Sequence, residues 1–191
     1  MQAVAKGFVS LDLTPMHGVG IMAQNHPYWQ VSSIGSIFAG GISCGIYLTN
    51  SPLTVKYICE HAPLDLLVIQ NQRMLDELLQ NQLDIKDIVK SFVLMEDHVI
   101  DSKCSHKNVL TWQEMLESGK SIENAVLEQR EENQAVNHAC ALSYTSGTTG
   151  PPKGKKNFFL HLCLLLCFLL HLSLYCVLLF LDLDLVLCLS A

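Results

Sequence analysis

Short apolar runs alternate along most of the chain with segments whose apolar residues recur at helical spacing. The apolar runs cover 18–23, 42–47, 66–69, 89–95 and 139–144, and each predicts a buried strand. The helical segments cover 3–13, 28–40, 52–61, 72–82, 112–116 and 122–132. Buried strands separated by helices of about ten residues are typical of βαβ units and a parallel sheet. The pattern therefore predicts an α/β fold.

Local signals sharpen three of these helices. Ser51 followed by Pro52 is typical of an N-cap and a first-turn proline, so a helix should begin there. Segment 72–82 places its leucines on one face. Segment 28–40 is apolar almost all round and contains small Ser and Gly residues, which predicts a buried helix. Tyr28 itself is expected on the surface.

Charge and composition exclude two classes of protein. The chain has 191 residues, a net charge of −6 and more Asp and Glu (18) than Lys and Arg (12), so it lacks the positive field of a nucleic-acid-binding protein. Half of its residues are hydrophobic and only 16% are charged, against about 25% in an average soluble domain. That balance also excludes an intrinsically disordered chain.

The apolar character is concentrated at the C-terminal end. Residues 1–150 hold 9 basic and 16 acidic residues, whereas Leu supplies 16 of the 34 residues in 158–191. No charged residue occurs in 158–181. We therefore expect a partial α/β domain over 1–154 and an apolar, low-complexity tail over 155–191.

Two origins of the tail stay open. A helix over 158–181 would be about 36 Å long, enough to cross a hydrocarbon core of about 30 Å, and the lysines before it would keep the body in the cytoplasm. The chain would then be tail-anchored, for example on the cytoplasmic face of the endoplasmic reticulum. Alternatively, Gly154-Lys155-Lys156 can be encoded by a splice-donor-like string, and the tail is then translated from a retained intron.

The cysteines and the N-terminus favour a reducing, cytoplasmic setting. The eight cysteines form no CxxC pair, and the first residues contain no long apolar run typical of a secretory signal. Asp97, His98, Cys104 and His106 are the nearest approach to a metal-ligand cluster. Their spacing matches no common zinc pattern, so we predict no metal site.

The segment 138–154 carries the clearest chemical signal. An apolar strand runs into a loop of Ser, Thr and Gly residues that is closed by Lys153. Glycines let backbone N–H groups approach an anion, hydroxyls add donors, and a lysine supplies a point charge for phosphate. The loop is not a Walker A motif, because Lys153 is followed by Gly154. The alternative is a flexible turn after a strand.

The string 142–154, which contains Y-T-S-G-T-T-G-P-P-K-G, resembles the phosphate-binding signature of the acyl-adenylate-forming (AMP-binding) superfamily. Upstream residues narrow the resemblance to the bubblegum-type long-chain fatty acid–CoA ligases. These residues are Gly18-Val-Gly-Ile21, Asn25, Pro27, Trp29, Phe38-Ala-Gly-Gly41, Gly45-Ile-Tyr47 and Thr49-Asn-Ser-Pro52. The resemblance covers residues 1–154 and implies the large N-terminal adenylate-forming domain, here incomplete.

The resemblance implies a ligase that uses ATP, Mg²⁺ and coenzyme A to convert a long-chain fatty acid to its CoA thioester through an acyl-adenylate. The loop would hold the β- and γ-phosphates of ATP and stabilise the leaving pyrophosphate. The phosphate-binding residues implied are Thr145, Ser146, Gly147, Thr148, Thr149, Gly150, Pro151, Pro152 and Lys153. No catalytic residue is assigned.

The chain departs from that family after Gly154. The family's adenine-stacking motif, its ribose-binding Thr-Gly-Asp segment and its adenylation lysine all lie beyond that point and have no counterpart here. We therefore expect weak ATP binding and no ligase activity from this chain by itself, and an incomplete sheet with an open apolar edge. The alternative function is a non-catalytic, tail-anchored interaction protein.

Overall fold

The computed structural model describes residues 1–81, 84–96, 108–145 and 152–158. Within them are seven helices and seven strands. The helices are α1 Gln2–Ser10, α2 Pro27–Phe38, α3 Pro52–His61, α4 Gln72–Asn81, α5 Ile85–Ile88, α6 Trp112–Gly119 and α7 Asn124–Glu132. The strands are β1 Gly18–Met22, β2 Ile42–Gly45, β3 Leu64–Ile69, β4 Ser91–Leu94, β5 Val109–Thr111, β6 Ala139–Thr145 and β7 Lys153–Phe158.

The strands form one sheet in the order β5-β4-β3-β1-β2-β6-β7. The first six strands are parallel to their neighbours, and β7 runs antiparallel to β6. The predicted α/β fold with a parallel sheet is therefore confirmed. The chain moves from β1 to β2 on one side and then returns to β3 on the other, so the strand order reverses at β1. Ligands of open α/β sheets bind beyond the carboxyl ends of strands near such a reversal.

Helices cover both faces of the sheet. Helices α3, α4 and α5 pack on one face, over a core that includes Leu67 and Ile69 of β3. Helices α1, α2, α6 and α7 pack on the other face, over a core that includes Leu66 and Val68. Successive residues of β3 thus point to opposite cores, as the two-residue period of a strand requires. Burial on both faces explains why the strands read as continuous apolar runs.

Two of the local predictions hold in detail. The Ser51 side chain caps α3 by accepting a hydrogen bond from the backbone N–H of Thr54, and Pro52 opens the helix. The three leucines of α4 are buried together.

Helix α2 differs from its prediction in which residues it buries. Its small residues Ser32, Gly35 and Ser36 face the core, whereas Ile34 and Phe38 are more than a third exposed. The reason is close approach, because a Cβ on Gly35 would lie 2.7 Å from a methyl carbon of Val4 on α1. Tyr28, which was expected on the surface, is half-buried and stacks on Trp112.

Strand β7 is the most consequential element that the sequence pattern did not predict. It spans Lys153–Phe158 and crosses the expected division between 154 and 155. It covers β6 along its whole length, so the expected open apolar edge is wrong on this side of the sheet. Lys153, Lys155 and Lys156 are exposed on this edge strand, and charged side chains of this kind protect a sheet edge from pairing with another chain. The short elements α5 and β5 were also not predicted.

The buried carboxylate of Asp65 links chain segments at the amino ends of the strands. The pairing of β1 with β3 shifts register around Asp65, which is only 5% exposed. Asp65 accepts hydrogen bonds from the backbone N–H of Thr14 (2.7 Å), Nδ1 of His17 (2.9 Å) and Nζ of Lys90 (2.9 Å). Burial alone raises the pKa of Asp65, but the bonds from Lys90, Thr14 and His17 outweigh it and lower the pKa from 3.8 to about 2.

The potential metal ligands in 97–106 lie outside the described residues. So do all but the first residue of the proposed membrane helix 158–181. Among the residues that are described, we find no helix with the length and apolar character needed to span a membrane.

Candidate phosphate-binding site

The ends of β6 and β7 bring the two ends of the predicted phosphate-binding segment together. Thr145, the last residue of β6, pairs directly with Lys153, the first residue of β7. Both are exposed, and they lie at the edge where the parallel strands end. The antiparallel pairing therefore places a hydroxyl group and an ammonium group on neighbouring strands at the ligand-binding edge of the fold.

The structure locates three of the nine predicted phosphate-binding residues. Thr145 and Lys153 are paired as described, and Pro152 immediately before β7 is half-buried. The other six lie outside the described residues: Ser146, Gly147, Thr148, Thr149, Gly150 and Pro151. The assignment of these nine residues to phosphate binding therefore stays a prediction. The pairing of Thr145 with Lys153 is compatible with it.

Positive charge is concentrated beside Thr145. Lys153, Lys155 and Lys156 are exposed within four consecutive residues of β7, in a chain whose net charge is −6. Exposed lysines attract anions through a field that salt screens. This end of the sheet can therefore attract a polyphosphate despite the acidic character of the whole chain.

A buried tyrosine lies directly behind this position. Tyr144, the residue before Thr145, is 3% exposed, and its hydroxyl lies 2.7 Å from Nδ1 of His61 at the end of α3. Burial, with smaller contributions from Cys44, Tyr57 and Cys59, raises the pKa of Tyr144 to about 12. The hydroxyl is therefore protonated at neutral pH, and it is hydrogen-bonded to the imidazole. The two residues are 83 positions apart, and no local pattern in the sequence signals the contact.

A cavity of about 430 Å³ adjoins the end of β6. It lies between β2, β6 and helix α2, and its lining includes Asn25, Ser33, Ser43, Trp29 and Tyr47. Hydroxyl and amide groups beside two aromatic rings suit the uncharged, polar part of a small ligand, and the volume is in the usual range of about 300–1,000 Å³ for such pockets.

Three polar residues form a network at the same edge of the sheet. Gln70 follows β3 and accepts a hydrogen bond from the backbone N–H of Gln24 (3.0 Å). Its side-chain amide donates to Glu96 after β4 (2.8 Å). The network ties together the chain beyond β1, β3 and β4, which is the point where the strand order reverses. Sequence inspection did not single out these residues, because each lies alone in its local segment.

A second cavity lies outside this site. An apolar groove of about 450 Å³, lined by Met16, Ile34, Phe38 and Val136 among others, includes Ala139 at the start of β6. The seven residues of β6 separate it from Thr145 by roughly 20 Å. Among the described residues, no group of three or more His, Cys, Asp or Glu side chains could hold a metal ion.

The fold and the strand-end geometry define an α/β protein with a cationic edge at the carboxyl ends of parallel strands. The profile of the family described as "AMP-binding enzyme" matches residues 1–155. The chain belongs to this family.

Two curated relatives are both named as long-chain fatty acid–CoA ligases. The chain is 39% identical over 150 residues to "Long-chain-fatty-acid--CoA ligase ACSBG2" of Xenopus laevis, a match covering 78% of this chain and 20% of that protein. It is 37% identical over 151 residues to "Long-chain-fatty-acid--CoA ligase ACSBG1" of Rattus norvegicus, covering 79% and 20%. The resemblance to bubblegum-type ligases is thereby confirmed. The chain spans about a fifth of the length of these relatives.

Solved structures confirm the fold. The anthranilate CoA ligase AuaEII in complex with anthranoyl-AMP matches with a TM-score of 0.67 and 21% identity, covering 82% of this chain and 28% of that one. The adenylation domain of a carboxylate reductase from Mycobacterium chelonae matches with a TM-score of 0.65 and 15% identity, covering 82% and 26%. Both likenesses show the adenylate-forming fold.

Proposed function

We propose that the segment 145–153 binds the β- and γ-phosphates of ATP, and that residues 1–154 are part of the large domain of a long-chain fatty acid–CoA ligase. The observation that supports this most strongly is the pairing of Thr145 with Lys153 at the carboxyl edge of the sheet. That pairing places the two ends of the hydroxyl- and glycine-rich segment on neighbouring strands. Membership of the AMP-binding family supports the choice of ATP as ligand.

The proposed reaction of the whole ligase has two steps. A fatty-acid carboxylate oxygen attacks the α-phosphorus of Mg-ATP, the bond to the β-phosphate oxygen breaks, and pyrophosphate leaves with its electron pair. The coenzyme A sulfur then attacks the acyl carbon and expels AMP, and the thiol proton is released. The contribution of this segment is electrostatic, because Lys153 and hydroxyl donors such as Thr145 stabilise charge on the departing pyrophosphate.

The chain by itself is proposed to bind phosphate weakly and to lack ligase activity. It spans about a fifth of its relatives, and the motifs that the family uses for adenine, ribose and the adenylation lysine have no counterpart in its sequence. Purified chain incubated with ATP, Mg²⁺, oleate and coenzyme A should therefore form no oleoyl-CoA. Formation of the thioester would overturn this part of the proposal.

Phosphate binding is tested by titrating the chain with ATP and with inorganic tripolyphosphate by calorimetry at low salt. Lys153→Ala should weaken both affinities by about five- to tenfold, as expected for a charge-assisted hydrogen bond that is partly screened. Lys120→Ala is the matched control, because Lys120 follows the last residue of α6, is 72% exposed and pairs with Glu117. Equal affinities for both variants and the parent chain would contradict the assignment.

A second function rests on the uncharged run 158–181. The proposal is that this run anchors a non-catalytic interaction protein to a membrane, with residues 1–154 in the cytoplasm. Carbonate extraction of the tagged chain from cells separates the two functions. Resistance to extraction together with absent phosphate binding favours the anchor, whereas release into the supernatant contradicts it.

A further inference from the structure

The His61 imidazole, at the end of α3, contacts two tyrosine rings. Its ring stacks on Tyr57 at 5.5 Å between centroids, and it meets the Tyr144 ring edge-on at 5.8 Å. Its Nδ1 and the Tyr144 hydroxyl are joined by a hydrogen bond of 2.7 Å. Tyr57, on the same helix, therefore fixes the orientation of the imidazole ring. Tyr144, on β6, fixes its position.

Tyr144 links His61 to β6 and β7, the two strands that flank the phosphate segment. It precedes Thr145 on β6 and pairs with Gly154 on β7. A Cβ on Gly154 would lie 3.2 Å from Cε1 and Cζ of the Tyr144 ring, so β7 passes directly against that ring. Tyr144 and Gly154 thus form the pair next to Thr145 and Lys153. The Tyr144 ring packs against Gly154, and its hydroxyl is hydrogen-bonded to His61 at the end of α3.

We propose that His61 is a positioning residue, which fixes the ends of β6 and β7 for phosphate binding through its hydrogen bond to Tyr144. The proposal rests on the proposed function of segment 145–153. His61 acts at a distance, because its partner is buried on the core side of β6 whereas Thr145 and Lys153 face solvent. Loss of the bond leaves a buried hydroxyl without its hydrogen-bond partner, and the strand ends are then free to shift.

A double-mutant cycle tests the bond itself. Tyr144→Phe, His61→Ala and the combined variant should each weaken tripolyphosphate affinity by about three- to tenfold, as loss of one hydrogen bond predicts. Because all three remove the same interaction, the combined loss should be close to either single loss. His61→Gln keeps a side-chain group that can hydrogen-bond to the Tyr144 hydroxyl and should restore part of the affinity. Tyr28→Phe is the matched control, since Tyr28 stacks on Trp112 in the opposite core.

Amide hydrogen exchange separates positioning from general loss of stability, and it works without a ligand. Exchange at residues 144–154 should quicken in Tyr144→Phe and His61→Ala, while exchange in β1 and β3 stays at the parent rate. Uniform acceleration across the sheet, or losses of affinity that add in the combined variant, would overturn the proposal. If the parent chain binds no tripolyphosphate, the proposed function fails, and unchanged exchange at 144–154 would independently refute the role of His61.

Discussion

Replacing Asp65 with Asn should destabilise the chain by an amount that depends on pH. The substitution keeps the shape of the side chain and removes the charge that Thr14, His17 and Lys90 satisfy at 2.7–2.9 Å. The amide retains one acceptor oxygen, so its nitrogen must face one of the donors that the carboxylate accepted. A buried site that loses an acceptor in this way is costly.

The magnitude follows from the pKa of Asp65. Lowering the pKa from 3.8 to about 2 corresponds to about 2.5 kcal/mol of stability. The side chains of His17 and Lys90 are 40% and 42% exposed, so solvent screening reduces this to about 1–2 kcal/mol. Since the pKa is lower in the folded chain, the contribution is fully present above pH 3.8 and is lost as the pH falls toward 2.

Urea unfolding at a series of pH values checks this. At pH 7, Asp65→Asn should lower the free energy of unfolding by about 1–2 kcal/mol relative to the parent chain, and the difference should shrink as the pH falls from about 4 toward 2. Asp87→Asn on α5 is the control, because Asp87 is exposed and its loss should change stability by less than about 0.5 kcal/mol. A difference that is absent at pH 7, or that is constant down to pH 2, would refute the reasoning.

Three smaller changes test the packing. Gly119→Ala places a Cβ 2.6 Å from a backbone nitrogen of α1 and should cost about 1–3 kcal/mol in thermal unfolding; an unchanged melting temperature would contradict this crossing of α1 and α6. Ser32 Oγ is buried with no partner among the described residues, so Ser32→Ala should be neutral or stabilising, whereas Ser36→Ala loses a bond and should destabilise. Burial raises the pKa of the Cys44 and Cys59 thiols to about 12. Both thiols should therefore react with a thiol reagent only when the chain unfolds, and rapid labelling of the folded chain would contradict their burial.

The sequence predicted the elements that are stabilised by local chemistry. Ser51-Pro52 specifies the start of α3 whatever packs on that helix, and continuous apolar runs require strands buried on both faces. The orientation of α2 could not be predicted in this way. Its buried face consists of small residues because α1 approaches closely, and a hydrophobic pattern read alone places Ile34 and Phe38 inside.

The candidate site was predictable in its composition but not in its support. A hydroxyl- and glycine-rich string ending in Lys153 predicts a phosphate-binding segment, and the resemblance to the acyl-adenylate-forming signature favours that prediction over a flexible turn. Strand β7 was missed because lysines at three of its first four positions conceal a strand pattern, although an edge strand tolerates them. The contact between His61 and Tyr144 depends on the pairing of β2 with β6, a long-range contact that no local pattern encodes.

Segment 145–153 is proposed to receive the phosphates of ATP. Titration of ¹⁵N-labelled chain with ATP, followed through the backbone amide resonances, tests this proposal. We expect saturable shifts confined to 145–156 that are reduced by salt, reproduced by tripolyphosphate and weakened in Lys153→Ala. Shifts that centre elsewhere, or ATP shifts that tripolyphosphate does not reproduce, would contradict it.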